Sequence, residues 1–274
     1  MSQNAAVTVE DVGFPGSTGA RLAGVLHRPD GGAVGSVLLA HCFTCSKDLH
    51  TTTRIAGALA EAGYAVLRFD FTGIGASGGD FRDKTVSRNV RDLVLAATHL
   101  IERGYGPCGL VGHSLGGAAV LLAAARMRTV RSVAVLGAPA TVSHVRHLMV
   151  DDEEAIRRDG VAQVVIGGRP FPISRDFLDD LDTHDVLAAV ESLGRPLLVL
   201  HAVNDEVVPV NDGEAIFAAA RQPKSFVPLI GADHLLTDRG EAAHAAQTLV
   251  GWLDTTLRGG GDDRPGRGDQ RPDQ

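Results

Sequence analysis

Residues 111–117 read VGHSLGG, a serine held between glycines two positions before and two after it. A serine hydroxyl is a weak nucleophile until a base takes its proton and an acid orients that base. The spelling Gly112-His-Ser114-Leu-Gly116 is that of a strained strand-to-helix turn, which lifts the serine Oγ above a sheet. Side chains at 112 and 116 would collide with the neighbouring strand and helix, so glycine is needed at both. The N-terminal N–H groups of a helix starting at Leu115 then face any negative charge growing beside Ser114. The chemistry is acyl transfer through an acyl-enzyme. The plainer alternative is a Gly-rich turn carrying an idle serine, and the apolar GLVGH before it and LGGAAVLLAAARM after it weigh against that.

The base and acid should follow Ser114 in the order acid, then histidine. LLVLHAVNDEVVP puts Asp205 just past a buried strand, with Glu206 as a neighbouring competitor. Asp212 and Glu214 sit in the next helix start, where acids often only cap. IGADHLLT puts His234 in a loop after the following strand and before the last helix. The chain has 11 histidines, so the others need readings of their own. His41 and His201 end strands and are expected to brace loops, His113 to pack beside the nucleophile, and His144, His147 and His184 to lie on the surface.

These residues need elements to hold them. AVTVEDVGF and ARLAGVLHRP alternate apolar and polar residues around turn signals, as β-strands do. From residue 33, continuous apolar runs (GSVLLAH, YAVLRFDF, GLVGH, SVAVLGAPA) alternate with helical stretches, which predicts a mostly parallel sheet flanked by helices, an α/β fold. The alternation stops between about 140 and 190. There an acidic helix start, a hairpin around Gly167-Gly168 and a Leu/Asp-rich helix predict a cap inserted over the site. It resumes with PLLVLHAV, DGEAIFAAA and SFVPLI and closes on a helix with Trp252. The expected division is one domain over 1–257 and a disordered tail, rich in Gly, Pro and charge, over 258–274.

Composition removes several classes. A net charge of −7 with no basic stripe argues against nucleic acid. No apolar run approaches the ~18 residues of a membrane span. The first residues lack the basic and apolar regions of a secretory signal, and three cysteines make no disulfide framework, so the expected location is the cytoplasm. GIGASG, Gly73–Gly78, satisfies G-x-G-x-x-G, but it follows a late strand and no acid-ended strand comes about twenty residues on, so no nicotinamide site is expected. No cofactor or metal is expected.

GHSLGGAA, GADHLL and the order of elements resemble the α/β-hydrolases over roughly residues 20–257. LLAHCFTCSKD, with IGGRPF and PKSF, is similar to the serine hydrolases fused to, or encoded beside, OsmC-type peroxide-resistance domains. The resemblance implies an α/β-hydrolase fold with a Ser114–Asp205–His234 triad. It also implies an oxyanion hole from the backbone N–H groups of Phe43 and Leu115, and a loop led by Asp70 that shapes the site. Cys42 stands where the superfamily usually has glycine. With no OsmC-type segment in this sequence, no peroxidase activity of its own is expected, though such a protein could be a partner. Cys42 and Cys45 also spell C-x-x-C in a redox-motif context, and the reading preferred here is a pair of reduced packing thiols.

The expected function is cleavage of carboxylic esters or thioesters on a small-molecule acyl substrate. Acyl transfer or C–C hydrolysis with the same triad, and a hydrolase fold kept only for binding, stay open as alternatives. Val142, Val145, Phe171 and Phe177 would roof a cleft suited to an uncharged acyl group, while Arg146 and Arg169 are the cations placed to meet an anionic one.

Overall fold

The computed structural model describes residues 6–106 and 108–258. The chain opens with an antiparallel hairpin, β1 (Val7–Pro15) and β2 (Arg21–Pro29), and then enters the alternating part. There β3 (Ser36–Ala40), α1 (His50–Glu61), β4 (Ala65–Phe69), α2 (Val86–Glu102), β5 (Cys108–His113), α3 (Leu115–Ala124) and β6 (Val130–Leu136) follow in turn. After the insertion come β9 (Leu197–Ala202), α7 (Val210–Ala219), β10 (Lys224–Leu229) and α8 (Arg239–Leu253). Eight strands form one sheet in the order β1-β2-β4-β3-β5-β6-β9-β10. From β4 onward all neighbours are parallel.

Every residue of β3, β4, β5 and β9 is buried, because helices cover both faces. The period-2 geometry of a strand sorts their side chains between two cores. Val37 and Leu39 pack with Ile55 and Leu59 of α1 and Leu249 of α8. Leu38 and Ala40 pack with Leu93 of α2 and Val120 of α3. The chain runs outward from β3 to β4 and then returns to place β5 on the other side of β3, so the strand order reverses between β3 and β5. In open α/β sheets that reversal leaves a crevice at the carboxyl ends of the strands. The loop after β3 and the turn after β5 both open into it.

The insertion holds a 3-10 segment (Val142–Met149), α4 (Glu153–Asp159), the hairpin β7 (Val161–Ile166) and β8 (Arg169–Ser174), α5 (Arg175–Leu181) and α6 (Val186–Glu191). Gly167 (φ 57°) and Gly168 (φ 76°) turn the hairpin with the two positive φ angles that a two-residue turn of this hand requires. Val142, Val145, Met149 and Phe177 join the same core cluster as Leu38 and Leu110. One expectation needs correction. The Leu/Asp-rich stretch is two helices, because Asp185 turns its carboxylate onto the Ala188 N–H (2.9 Å) and starts α6 afresh. The tail expected to be disordered, 258–274, lies outside the described residues apart from Arg258.

Candidate active site

Ser114 adopts φ 56° and ψ −129°, a left-handed conformation that costs a non-glycine residue strain and recurs at functional turns. The turn is closed by Ser114 N–H donating to the Leu136 carbonyl (2.9 Å) and Gly117 N–H donating to that of Ser114 (2.7 Å). The glycine requirement is literal. A Cβ on Gly112 would lie 2.4 Å from the Gly116 carbonyl oxygen, and one on Gly116 would lie 2.3 Å from that of His41.

Asp205 and His234, 29 residues apart in sequence, meet at 2.7 Å between Oδ2 and Nδ1. The other carboxylate oxygen of Asp205 accepts the N–H groups of Val207 (2.9 Å) and Val208 (2.8 Å). Burial opposes ionisation of Asp205, yet the bonds from His234 and these backbone groups outweigh it and hold the carboxyl below its ordinary range. An ionised Asp205 keeps the imidazole proton on Nδ1 and leaves Nε2 free to accept another. Glu206 is exposed, and Asp212, expected to cap its own helix, instead accepts the N–H of the distant Ala140 (3.2 Å). Gly137 makes room for the pair, since a Cβ there would approach His234 Nδ1 to 3.2 Å and Asp205 Oδ2 to 3.3 Å.

The neighbouring histidines brace. His113 Nε2 bonds the His234 carbonyl (2.7 Å) and its ring packs 5.0 Å from that of His234, so the residue beside the nucleophile steadies the residue expected to be its base. Burial, aided by the nearby His234, pushes His113 down to about 4 and keeps it neutral. His41 bonds the Cys42 carbonyl (2.7 Å) and accepts the Phe71 N–H (3.3 Å). Burial first, then the charge of Lys84, lowers it to about 4 as well. His201 bonds the Val208 carbonyl (2.9 Å). His144 reaches from the cap to the Val207 carbonyl (2.7 Å). His184, expected on the surface, is instead mostly enclosed between Asp180 (3.1 Å) and Ser87 (3.2 Å), pinning the cap to α2.

Phe43 lies in the loop after β3, and Leu115 opens α3 just after Ser114. The Phe43 ring stacks on Phe177 of the cap, with centroids 5.1 Å apart. The flanking Cys42 and Cys45 differ from expectation: they are joined as a disulfide, with Cα atoms 5.3 Å apart, because the turn between them brings the two side chains together. Cys108 is a buried free thiol, pushed up to about 11 by burial. Among the described residues no cluster of His, Cys, Asp and Glu could hold a metal.

The GIGASG loop wraps a carboxylate. Asp70 accepts the N–H groups of Lys47 (2.7 Å) and Ala76 (2.9 Å), and a Cβ on Gly75 would fall 2.2 Å from its Oδ2. The glycines fit an acid of this chain. Sequence reasoning missed Lys84, which sits in a run of polar residues and looks like surface. It is buried with no hydrogen-bond partner for its Nζ among the described residues, and that Nζ lies 5.7, 5.1 and 5.8 Å from the ring centroids of Phe43, Phe71 and Phe81. Burial lowers it to about 7, against a smaller opposing pull from Asp92.

A family model described as "Serine aminopeptidase, S33" matches residues 33–156. The esterase domain of a Rhodothermus marinus protein is 39% identical, with a TM-score of 0.75 over 91% of this chain and 99% of that one. Mouse palmitoyl-protein thioesterase ABHD10, mitochondrial, is 31% identical over 156 residues, 54% of this chain and 50% of that protein. The chain thus spans about half the length of the curated relatives it matches first. Est1E from Butyrivibrio proteoclasticus, in a structure with ferulic acid bound, shares the fold at a TM-score of 0.78 and 21% identity. The chain belongs to the α/β-hydrolase superfamily. These likenesses support a hydrolase.

Proposed function

We propose that the protein is a serine hydrolase that cleaves carboxylic esters through an acyl-enzyme formed on Ser114. In this reading His234 Nε2 takes the Ser114 proton as Oγ attacks the acyl carbonyl, then gives it to the leaving oxygen. Asp205 stabilises the imidazolium and fixes its tautomer. The N–H groups of Phe43 and Leu115 hold the oxyanion, and water hydrolyses the acyl-enzyme after the leaving group departs. The observation that carries the reading is the buried 2.7 Å pair of Asp205 and His234, braced through His113 to the strained turn that holds Ser114.

The test is turnover of p-nitrophenyl acetate together with labelling by a fluorophosphonate. Both are expected in the parent protein and absent in Ser114→Ala. Labelling retained in the alanine variant would move the nucleophile elsewhere. Absence of both in the parent would favour a hydrolase fold kept for binding. Thioester cleavage is the second reading, favoured by the 31% identity to a palmitoyl-protein thioesterase, and an acyl-thiol substrate set beside its oxygen ester separates the two. Association with an OsmC-type protein rests on the CFTCSKD segment, and co-purification tests it.

A further inference from the structure

The cap hairpin meets the body beside the loop that follows β3. Arg169, the first residue after the turn, donates through Nη2 to the Thr44 carbonyl (2.7 Å) and lies 5.1 Å from the centroid of the Phe171 ring. Thr44 follows Phe43 directly. Beneath the hairpin is a cavity of about 550 Å³ walled in part by Thr44, Cys45, Ile74, Phe81, Phe171 and Arg169.

Its charge is one-sided. Three other cap arginines are neutralised: Arg146 bonds Glu153 (3.1 Å) and Asp182 (2.7 Å), Arg157 bonds Glu153 (2.8 Å), and Arg158 bonds Asp159 (2.9 Å). Arg175 donates to the Arg158 carbonyl (3.5 Å) and is not on the wall of this cavity. Arg169 has no carboxylate partner among the described residues, and its remaining donors are unspent. The single carboxylate on the wall, Asp48, is already bridged by Lys47 (2.8 Å) and Arg68 (2.6 Å). The rest of the wall mixes neutral polar groups, Thr44 and Ser46, and His50 with apolar ones, of which the Phe81 and Phe171 rings lie 4.9 Å apart. A guanidinium with a free fork beside two aromatic rings suits a carboxylate carried on a short chain.

The side of the ester follows from proton transfer. His234 must reach the leaving oxygen, so the leaving group lies on the His234 side, where a second cavity of about 420 Å³ opens. That cavity is walled partly by Glu206 and Asp233, which disfavour an anionic leaving group. The cavity beneath the hairpin, which borders Phe43 through Thr44 and through Phe81 (ring centroids 6.0 Å apart), is left for the acyl chain.

We propose that the site selects acyl groups that end in a carboxylate, the half-esters of short dicarboxylic acids, with the distal carboxylate paired to Arg169. This rests on the esterase reading above and replaces the neutral acyl preference expected from the apolar cap residues.

The test compares p-nitrophenyl hydrogen glutarate and hydrogen adipate with their methyl-capped twins, which have the same chain and no charge. Arg169 is exposed, and an exposed ion pair contributes roughly 0.2–1 kcal/mol, so kcat/KM is expected to favour the charged member by up to about fivefold. The ratio should fall toward one in Arg169→Gln, be kept only in part in Arg169→Lys, which retains the charge without the fork, and shrink with added salt. Because it is taken within one variant, a general disturbance of the Thr44 loop cancels. Equal or faster cleavage of the methyl twin by the parent, or a ratio unmoved in Arg169→Gln, overturns the proposal. So does an Arg169-dependent preference for 4-carboxyphenyl butyrate over its methyl ester, which would put the charge on the leaving group. If no ester is turned over, the esterase reading fails by itself. The subsite is then decided by whether monomethyl glutarate raises the melting temperature of Ser114→Ala. A rise that is lost in Ser114→Ala/Arg169→Gln supports it, and no rise overturns it.

Discussion

At Asp205 the structure separates two adjacent acids that differ little in sequence. Asp205 is enclosed and bonded to His234 and two backbone N–H groups, while Glu206 faces solvent. Asp205→Asn should therefore lower kcat by roughly 10⁴-fold, the loss seen when an asparagine stabilises the wrong imidazole tautomer, and Glu206→Gln should change it little. Steady-state kinetics on one ester check this, and the opposite ranking would reassign the acid. Lys84 carries a prediction of another kind. Folded, it titrates near 7, well below its ordinary 10.5, so between these values the unfolded chain binds more protons than the native one. Stability must then rise with pH above about 7. Cys108, raised to about 11, acts in the opposite sense once an unfolded thiol begins to ionise. The window that isolates Lys84 is therefore about pH 7 to 8.5. Urea unfolding should show stability climbing across that window in the parent and a flatter profile in Lys84→Met. An unchanged slope in the variant would discount the burial of the ammonium.

Among the elements, the turn between β5 and α3 is the least forgiving. A methyl on Gly116 must displace the His41 carbonyl, and with it the loop that carries Phe43. Gly116→Ala should cost about 1–3 kcal/mol in overpacking and lower kcat further through that loop. Urea midpoints and ester turnover measured on the same preparation separate the two effects. Gly57, in the middle of α1 with open space around its Cα, is the control: Ala there should be neutral or stabilising by up to about 1 kcal/mol. The Cys42–Cys45 link closes a very short loop, so its chain-entropy contribution is only about 2 kcal/mol. Reduction followed by alkylation should lower the melting temperature slightly. A large loss would mean that the link holds more of the loop carrying Phe43 than its length implies.

For the whole molecule, the cap and body share one core, since Val145 and Phe177 cluster with Leu38 and Leu110. They should unfold together. Trp252, the single tryptophan, lies on α8 and donates to Ser132 Oγ (3.0 Å), on the body. Its fluorescence, the far-UV CD signal and esterase activity are expected to fall in one coincident urea transition. Activity lost well before Trp252 fluorescence would show a cap that opens independently.

Much of this was legible in the chain, for local reasons. Continuous apolar runs alternating with helical stretches specify a parallel sheet covered on both faces. The glycines around Ser114 specify a turn that other residues cannot make. The Gly167-Gly168 pair specifies a hairpin. Each signal lies within a few residues, where backbone geometry and periodicity act. Contacts across long separations were decided only by tertiary structure. The choice of Asp205 over Glu206 depends on which side chain the turn after β9 directs at a loop 29 residues away. The enclosure of Lys84 depends on Phe43 from the loop after β3 closing on Phe71 and Phe81 of its own β4–α2 connection, and that of His184 on a contact with α2. The different fates of Arg146 and Arg169 depend on where the carboxylates of the cap fall once it is folded. Charge and burial at a side chain are sums over neighbours in space, and a linear sequence does not order its residues by that distance.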